Sequence, residues 1–149
     1  MPDPVIALKD VTLSLRGNAG MVEILHRISL EVAKGETLAL IGPSGSGKSS
    51  LLMVMGGLES ASSGTVAVLG SDLTGMDEDR LARFRRDHMG VVFQSFNLIP
   101  TMTALENVAT PLELAGDKAA FDKAAAELEA VGLGHRADHY PAQMSGGEQ

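Results

Sequence analysis

A length of 149 residues suits a single domain. Apolar residues make up 44%, enough for a real core, which argues against global disorder. The net charge of −7 argues against nucleic acid, whose phosphates select basic surfaces, and the lack of cysteine excludes disulfides, thiolate metal sites and a thiol nucleophile. Met1-Pro2-Asp3-Pro4 has neither the basic nor the apolar region of a signal peptide. No apolar run reaches the length of a membrane span, so the chain is expected not to cross a bilayer, although it could dock on a protein that does.

In chain order, residues 5–15 are β-rich, with Val11, Leu13 and Leu15 alternating. Arg16-Gly17-Asn18-Ala19-Gly20 is a turn-rich break, and residues 24–32 predict a second strand with Ile28, Leu30 and Val32 on one face. Lys34-Gly35 turns the chain into Glu36-Thr37-Leu38-Ala39-Leu40-Ile41, expected to be a buried strand of a parallel sheet. The run Ser50-Leu51-Leu52-Met53-Val54-Met55 is apolar on most sides and predicts a helix packed under a sheet. A loop over 60–64 leads into a strand over 65–69. Asp77, Glu78 and Asp79 open a helix that should run to Asp87, where acids suit the dipole. Gly90-Val91-Val92-Phe93 reads as a short buried strand ending at Gln94.

Beyond Gln94 the pattern turns helical. Thr103-Ala104-Leu105-Glu106 is a capping box, and Pro111 should kink or end the helix it starts. Residues 118–131 predict a second helix with Phe121, Ala125, Leu128 and Val131 on one apolar face, closed by Gly132 and Gly134. The expected division is a nucleotide-binding core with its β-rich part over 1–93 and a helical part over 94–149.

Gly42-Pro43-Ser44-Gly45-Ser46-Gly47-Lys48-Ser49 carries the most chemistry. It reads G-x-x-x-x-G-K-[ST], a phosphate-binding loop, placed between an expected strand and an expected helix. Glycines let the backbone approach an oxyanion and point several N–H groups into one concavity. The following helix adds its N-terminal dipole. Lys48 can reach outer phosphates, and the Ser49 hydroxyl can ligate magnesium. A mere glycine-rich turn has no use for Lys48, whose charge needs an anion to face. A second motif is Ser145-Gly146-Gly147-Glu148-Gln149, where Ser145 and Glu148 form a capping box that announces a helix. The two glycines leave its first N–H groups open to an anion, although an ordinary capped helix has the same pattern.

Together these motifs resemble the ATP-binding subunit of ATP-binding-cassette transporters. Gly42 to Ser49 is similar to that family's Walker A loop, and Gln94 after Gly90-Val91-Val92-Phe93 to its Q-loop glutamine. Met144-Ser145-Gly146-Gly147-Glu148-Gln149 resembles the signature L-S-G-G-E-Q, with Met144 for Leu. The stretch Val92-Phe93-Gln94-Ser95-Phe96-Asn97-Leu98-Ile99-Pro100-Thr101, with Leu105-Glu106-Asn107-Val108, is similar to the lipoprotein-releasing, macrolide-export and cell-division branch. The resemblance covers nearly the whole chain and implies an α/β fold: a P-loop NTPase core with an antiparallel β-subdomain and a helical subdomain, the C-terminal part of the cassette missing.

It also implies a mechanism in which two subunits sandwich two ATP molecules. Lys48 and Gln94 would be catalytic. Gly42, Pro43, Ser44, Gly45, Ser46, Gly47, Lys48, Ser49 and Ser50 would hold the nucleotide from one side, and Ser145, Gly146 and Gly147 of the other subunit from the opposite side. Ser49 and Gln94 would ligate Mg2+. The implied partners are a membrane permease and a second copy, with no nucleic acid. The implied location is cytoplasmic, peripheral on the inner face of a bacterial plasma membrane, and residues 96–114 would form a groove for the permease.

Two departures qualify this. The family's Walker B strand, D-loop and switch histidine would follow Gln149, so the expectation is an N-terminal part of a longer protein that binds phosphate but does not hydrolyse ATP alone. The position where the family stacks an aromatic residue on adenine holds Leu15, which weakens the expected preference for adenine. The alternatives are a soluble, non-transport cassette ATPase and a nucleotide-binding fragment without hydrolysis. The first fits poorly, because the acidic chain has no long heptad insertion between Gln94 and Ser145. His135, Asp138 and His139 make a weak metal set between helices. Arg80, Arg83, Arg85 and Arg86 read as a solvated helix face.

Overall fold

The computed structural model describes residues 4–17 and 20–149. Asn18 and Ala19 of the expected turn, and residues 1–3, lie outside them. The chain forms two compact units, Met1–Val91 and Val92–Gln149.

In the first unit, β1 (Ile6–Gly17), β2 (Gly20–Val32), β3 (Ser63–Val68) and β4 (Ser71–Asp72) form one antiparallel sheet in the order β2-β1-β3-β4. Two helices belong to this unit, α1 (Lys48–Met55) and α2 (Glu78–His88). One core joins Leu8, Val11 and Leu13 of β1, Leu25 of β2 and Val66 and Val68 of β3 to Leu51, Val54 and Met55 of α1 and Leu81 of α2. Strict alternation would put Leu8 and Val11 on opposite faces. They share one face because β1 bulges between them. Lys9 pairs with Thr65 and Thr12 with Ser63, so Asp10 and Val11 together oppose Gly64 alone. Asp10 takes φ 49° there, and its N–H leaves the ladder for Ser29 Oγ at 3.0 Å.

β4 was not foreseen. It follows the two-residue turn Leu69-Gly70, both at positive φ (50° and 75°), the geometry that matches strand twist in a tight hairpin. α2 starts where the acids predicted it: Asp77 Oδ1 accepts the N–H of Arg80 at 2.8 Å.

Two expectations fail here. Residues 36–41 and 90–93 take no strand assignment, and Ile41 is 91% exposed. An apolar extended run becomes a strand only when neighbours complete its ladder and cover its faces, and the described residues of each unit supply neither.

The second unit holds α3 (Ala104–Leu114) and α4 (Ala120–Ala130). The capping box is formed: Thr103 Oγ1 accepts from Glu106 N at 3.2 Å, and Glu106 Oε2 accepts from Thr103 N at 2.7 Å. α3 runs through Pro111 and stops within one turn of it. α4 packs on α3 with a different face from the one expected. It buries Ala120, Ala124 and Leu128, while Phe121 and Val131 are exposed. In this i, i+4, i+8 row Leu128 is kept from the expected face, while the small Ala120 and Ala124, like buried Ala109 on α3, let the helices approach more closely than Phe121 would.

Candidate functional site

The phosphate-type loop lies between residues 36–41 and α1. Gly42, Gly45 and Gly47 have φ of 154°, 81° and 86°. Gly47 is the N-cap of α1 in the left-handed region, and a Cβ on it would come within 3.0 Å of the Ile24 carbonyl oxygen and Leu25 Cδ2. Only glycine meets both demands. No side chain caps α1, and its first turn holds no acid, so its leading N–H groups face outward unanswered.

Lys48 is the first residue of that helix and folds back across the loop. Its Nζ donates to the carbonyl oxygens of Pro43 at 2.7 Å and Gly42 at 3.0 Å, and to Ser46 Oγ at 3.4 Å. All three acceptors are neutral. Among the described residues no carboxylate pairs with the ammonium charge, and it adds to the positive end of α1. Beside it opens a cavity of about 460 Å³, lined by Leu25, Ile41, Gly42, Ser46, Lys48 and Leu51 among others. Positive charge, free N–H groups and open space together suit an anion of triphosphate size. Ser49 is exposed and Ser50 half-buried on the first turn, next to Lys48. A hydroxyl at that place is a hard oxygen donor that fits magnesium. Pro43 and Ser44 are exposed, and Pro43 also lines the cavity.

Gln94 is exposed and belongs to the second unit. That unit also carries the turn Ser145-Gly146-Gly147, exposed throughout. Glu148 Oε2 accepts from both the N–H and the hydroxyl of Ser145, each at 2.8 Å. Gln149 N–H reaches the Ser145 carbonyl at 3.1 Å, the first bond of a helical turn. Sequence reasoning missed Arg136. Its Nε donates to Glu148 Oε1 at 2.9 Å. The two residues sit twelve apart on separate short turns, Gly134–Arg136 and the Ser145 turn, so no helical periodicity links them. The Ser145 N–H, then its hydroxyl and then Arg136 hold the Glu148 carboxyl down at about 2.

A family model described as ABC transporter matches residues 25–149. The uncharacterized ABC transporter ATP-binding protein YbbA of Escherichia coli K12 is 53% identical over 130 residues, which span 86% of this chain and 57% of that protein. The lipoprotein-releasing system ATP-binding protein LolD of Novosphingobium aromaticivorans is 43% identical across 100% of this chain and 67% of its own length. The macrolide export ATP-binding/permease protein MacB of Marinobacter nauticus is 47% identical over 99% of this chain and 23% of its own. Among solved structures, the ATP-binding cassette MJ0796, a dimer in a post-hydrolysis state bound to ADP and Pi, superposes with a TM-score of 0.87 at 36% identity. That match covers 96% of this chain and 64% of MJ0796. The chain thus spans 57% of YbbA and 64% of the solved cassette. With a family model matched over residues 25–149 and relatives of this identity and coverage, the chain belongs to the ABC transporter family.

Proposed function

We propose that this chain is the nucleotide-gripping part of an ABC transporter's ATP-binding subunit, which couples ATP binding and hydrolysis to a membrane permease of the lipoprotein-release or export type. The observation that carries the reading is Lys48. Among the described residues, its ammonium is held at the mouth of a glycine loop by neutral oxygens alone, at the positive end of an uncapped helix. Such a site holds its own loop in shape and leaves a positive charge poised for a polyanion.

In this reading, residues 42–50 hold the β- and γ-phosphates, Lys48 neutralises their charge, and Ser49 with Gln94 ligates Mg2+. Mg2+ held by these residues would supply positive charge to offset that of the phosphates. A second copy brings Ser145, Gly146 and Gly147 to the γ-phosphate. The dimeric state of MJ0796 and the names of LolD and MacB support both the pairing and the export-type permease. Closure of two copies around nucleotide would convert binding energy into movement of the attached permease. The working place is then the cytoplasmic face of a membrane. No helix among the described residues is long and apolar enough to cross one, which suits a peripheral subunit. The test is co-purification of the full-length protein with its permease from detergent extract, followed by ATPase assay with and without Lys48→Ala. A permease-bound, Lys48-dependent ATPase is expected. Activity unchanged by Lys48→Ala contradicts the reading.

A further inference from the structure

The signature turn carries a charge problem. Ser145, Gly146 and Gly147 can offer a phosphate only neutral donors, yet a carboxylate, Glu148, lies in the same turn. Glu148 also draws the Ser145 hydroxyl proton toward itself. A bare carboxylate there would repel an incoming phosphate and compete with it for that proton.

Arg136 answers both effects. Its guanidinium occupies Glu148 Oε1, while Oε2 serves Ser145. The pair is partly buried, with side chains 33% and 23% exposed, so solvent screens it less than a surface ion pair. The support for Arg136 is firm. Its own N–H bonds the Leu133 carbonyl at 2.8 Å, and its carbonyl accepts the His139 N–H at 2.8 Å. The Ala137 and His139 carbonyls accept the N–H groups of Leu105 and Ala104 at 3.0 and 2.8 Å, joining this turn to the start of α3. Arg136 Nη1 also meets His139 Nε2 at 3.3 Å, and since arginine only donates, the ring nitrogen accepts. The guanidinium is thus fixed from two sides before any ligand arrives.

We propose that Arg136 is a positioning residue for docking of nucleotide on the signature turn, acting through Glu148 by cancelling its charge beside Ser145 and holding it in place. This rests on the reading that the turn meets nucleotide carried by a second copy. When phosphate arrives, the Ser145 hydroxyl exchanges Glu148 for a phosphate oxygen. Glu148 retains the Ser145 N–H and Arg136, so the turn keeps its shape while its donor is released.

The test is a double-mutant cycle in the full-length protein, reading the concentration of a magnesium-loaded, non-hydrolysable ATP analogue that gives half-maximal dimer by sedimentation. Arg136→Ala should raise that concentration about tenfold, the scale of coupling between contacting charged groups. Glu148→Gln keeps the cap, since glutamine serves a capping box as glutamate does, and should shift it less than about threefold. The double variant Arg136→Ala/Glu148→Gln should return to the level of Glu148→Gln, because the charge that needed cancelling is gone. If the double variant is as impaired as Arg136→Ala, the arginine is merely structural and the proposal is overturned. An unchanged Arg136→Ala overturns it equally. Should Arg136→Ala not fold, Arg136→Lys replaces it, with a smaller shift in the same direction expected and no shift contradicting. Wild-type protein that binds the analogue as a monomer but never pairs overturns the two-copy reading itself, a result distinct from failure of the cycle.

Discussion

Asn107 treats Ile99 as a strand would. Its Oδ1 accepts the Ile99 N–H at 2.7 Å while its Nδ2 donates to the Ile99 carbonyl at 3.1 Å. The same Nδ2 reaches the carbonyls of Met102 and Thr103 at 3.1 and 2.9 Å. One side chain on α3 thus closes the loop that leads from Gln94 into the helix. Asn107→Ala removes all four bonds at once; the Ile99 and Thr103 carbonyls keep the N–H groups of Met102 and Asn107, but the Ile99 N–H loses its acceptor and the loop loses its tie to α3. We expect a loss of about 2 kcal/mol, read from the urea midpoint of the full-length protein. Asn107→Asp should also be destabilising, because it keeps the acceptor and loses the donor. An unchanged midpoint in Asn107→Ala contradicts this role.

The sheet makes a sharper demand at Gly64. It stands opposite the β1 bulge at φ 87°, and a Cβ there would lie 2.5 Å from the Asp10 carbonyl oxygen. Gly64→Ala collides with backbone that cannot swing away and adds left-handed strain. A loss of about 3 kcal/mol is expected by thermal or urea unfolding. A loss below about 0.5 kcal/mol, the range of ordinary surface changes, contradicts the bulge geometry.

Much of this was legible in the sequence, and the exceptions share a cause. The glycine-led start of α1, the Thr103–Glu106 box and the acid-led start of α2 are local signals, written in consecutive residues whose own backbone and hydrogen bonds decide the outcome. The structure kept all three. What depends on neighbours was not legible. Residues 36–41 and 90–93 have strand composition but no paired ladder. The α4 face was misjudged because Phe121 and Val131 are more apolar than Ala120 and Ala124, yet close helix packing favours the small row. The β1 bulge shifts the phase of alternation at Asp10, which no period-two reading detects. Arg136 escaped notice because its partner lies on another turn.

Acidification should loosen the signature turn. The carboxyl of Glu148 is held at about 2 from an ordinary 4.5, first by the Ser145 N–H, then by its hydroxyl and Arg136. A depressed carboxyl contributes stability that is fully present above the unfolded value and fades as pH falls from about 4.5 toward 2. The Ser145 amide resonance should therefore move through that window in an acid titration followed by NMR. Glu148→Gln should abolish the movement. A Ser145 amide that titrates equally in both proteins contradicts the assignment.

The central claim is that Lys48 and its glycine loop grip the phosphates of a nucleotide. Calorimetry of magnesium ATP binding to the full-length protein, beside its Lys48→Ala variant, tests it most directly. We predict measurable uptake by the wild type and a weakening of at least about tenfold in Lys48→Ala, the scale of one charge-assisted contact. Equal uptake by both proteins, or none by the wild type, would contradict it.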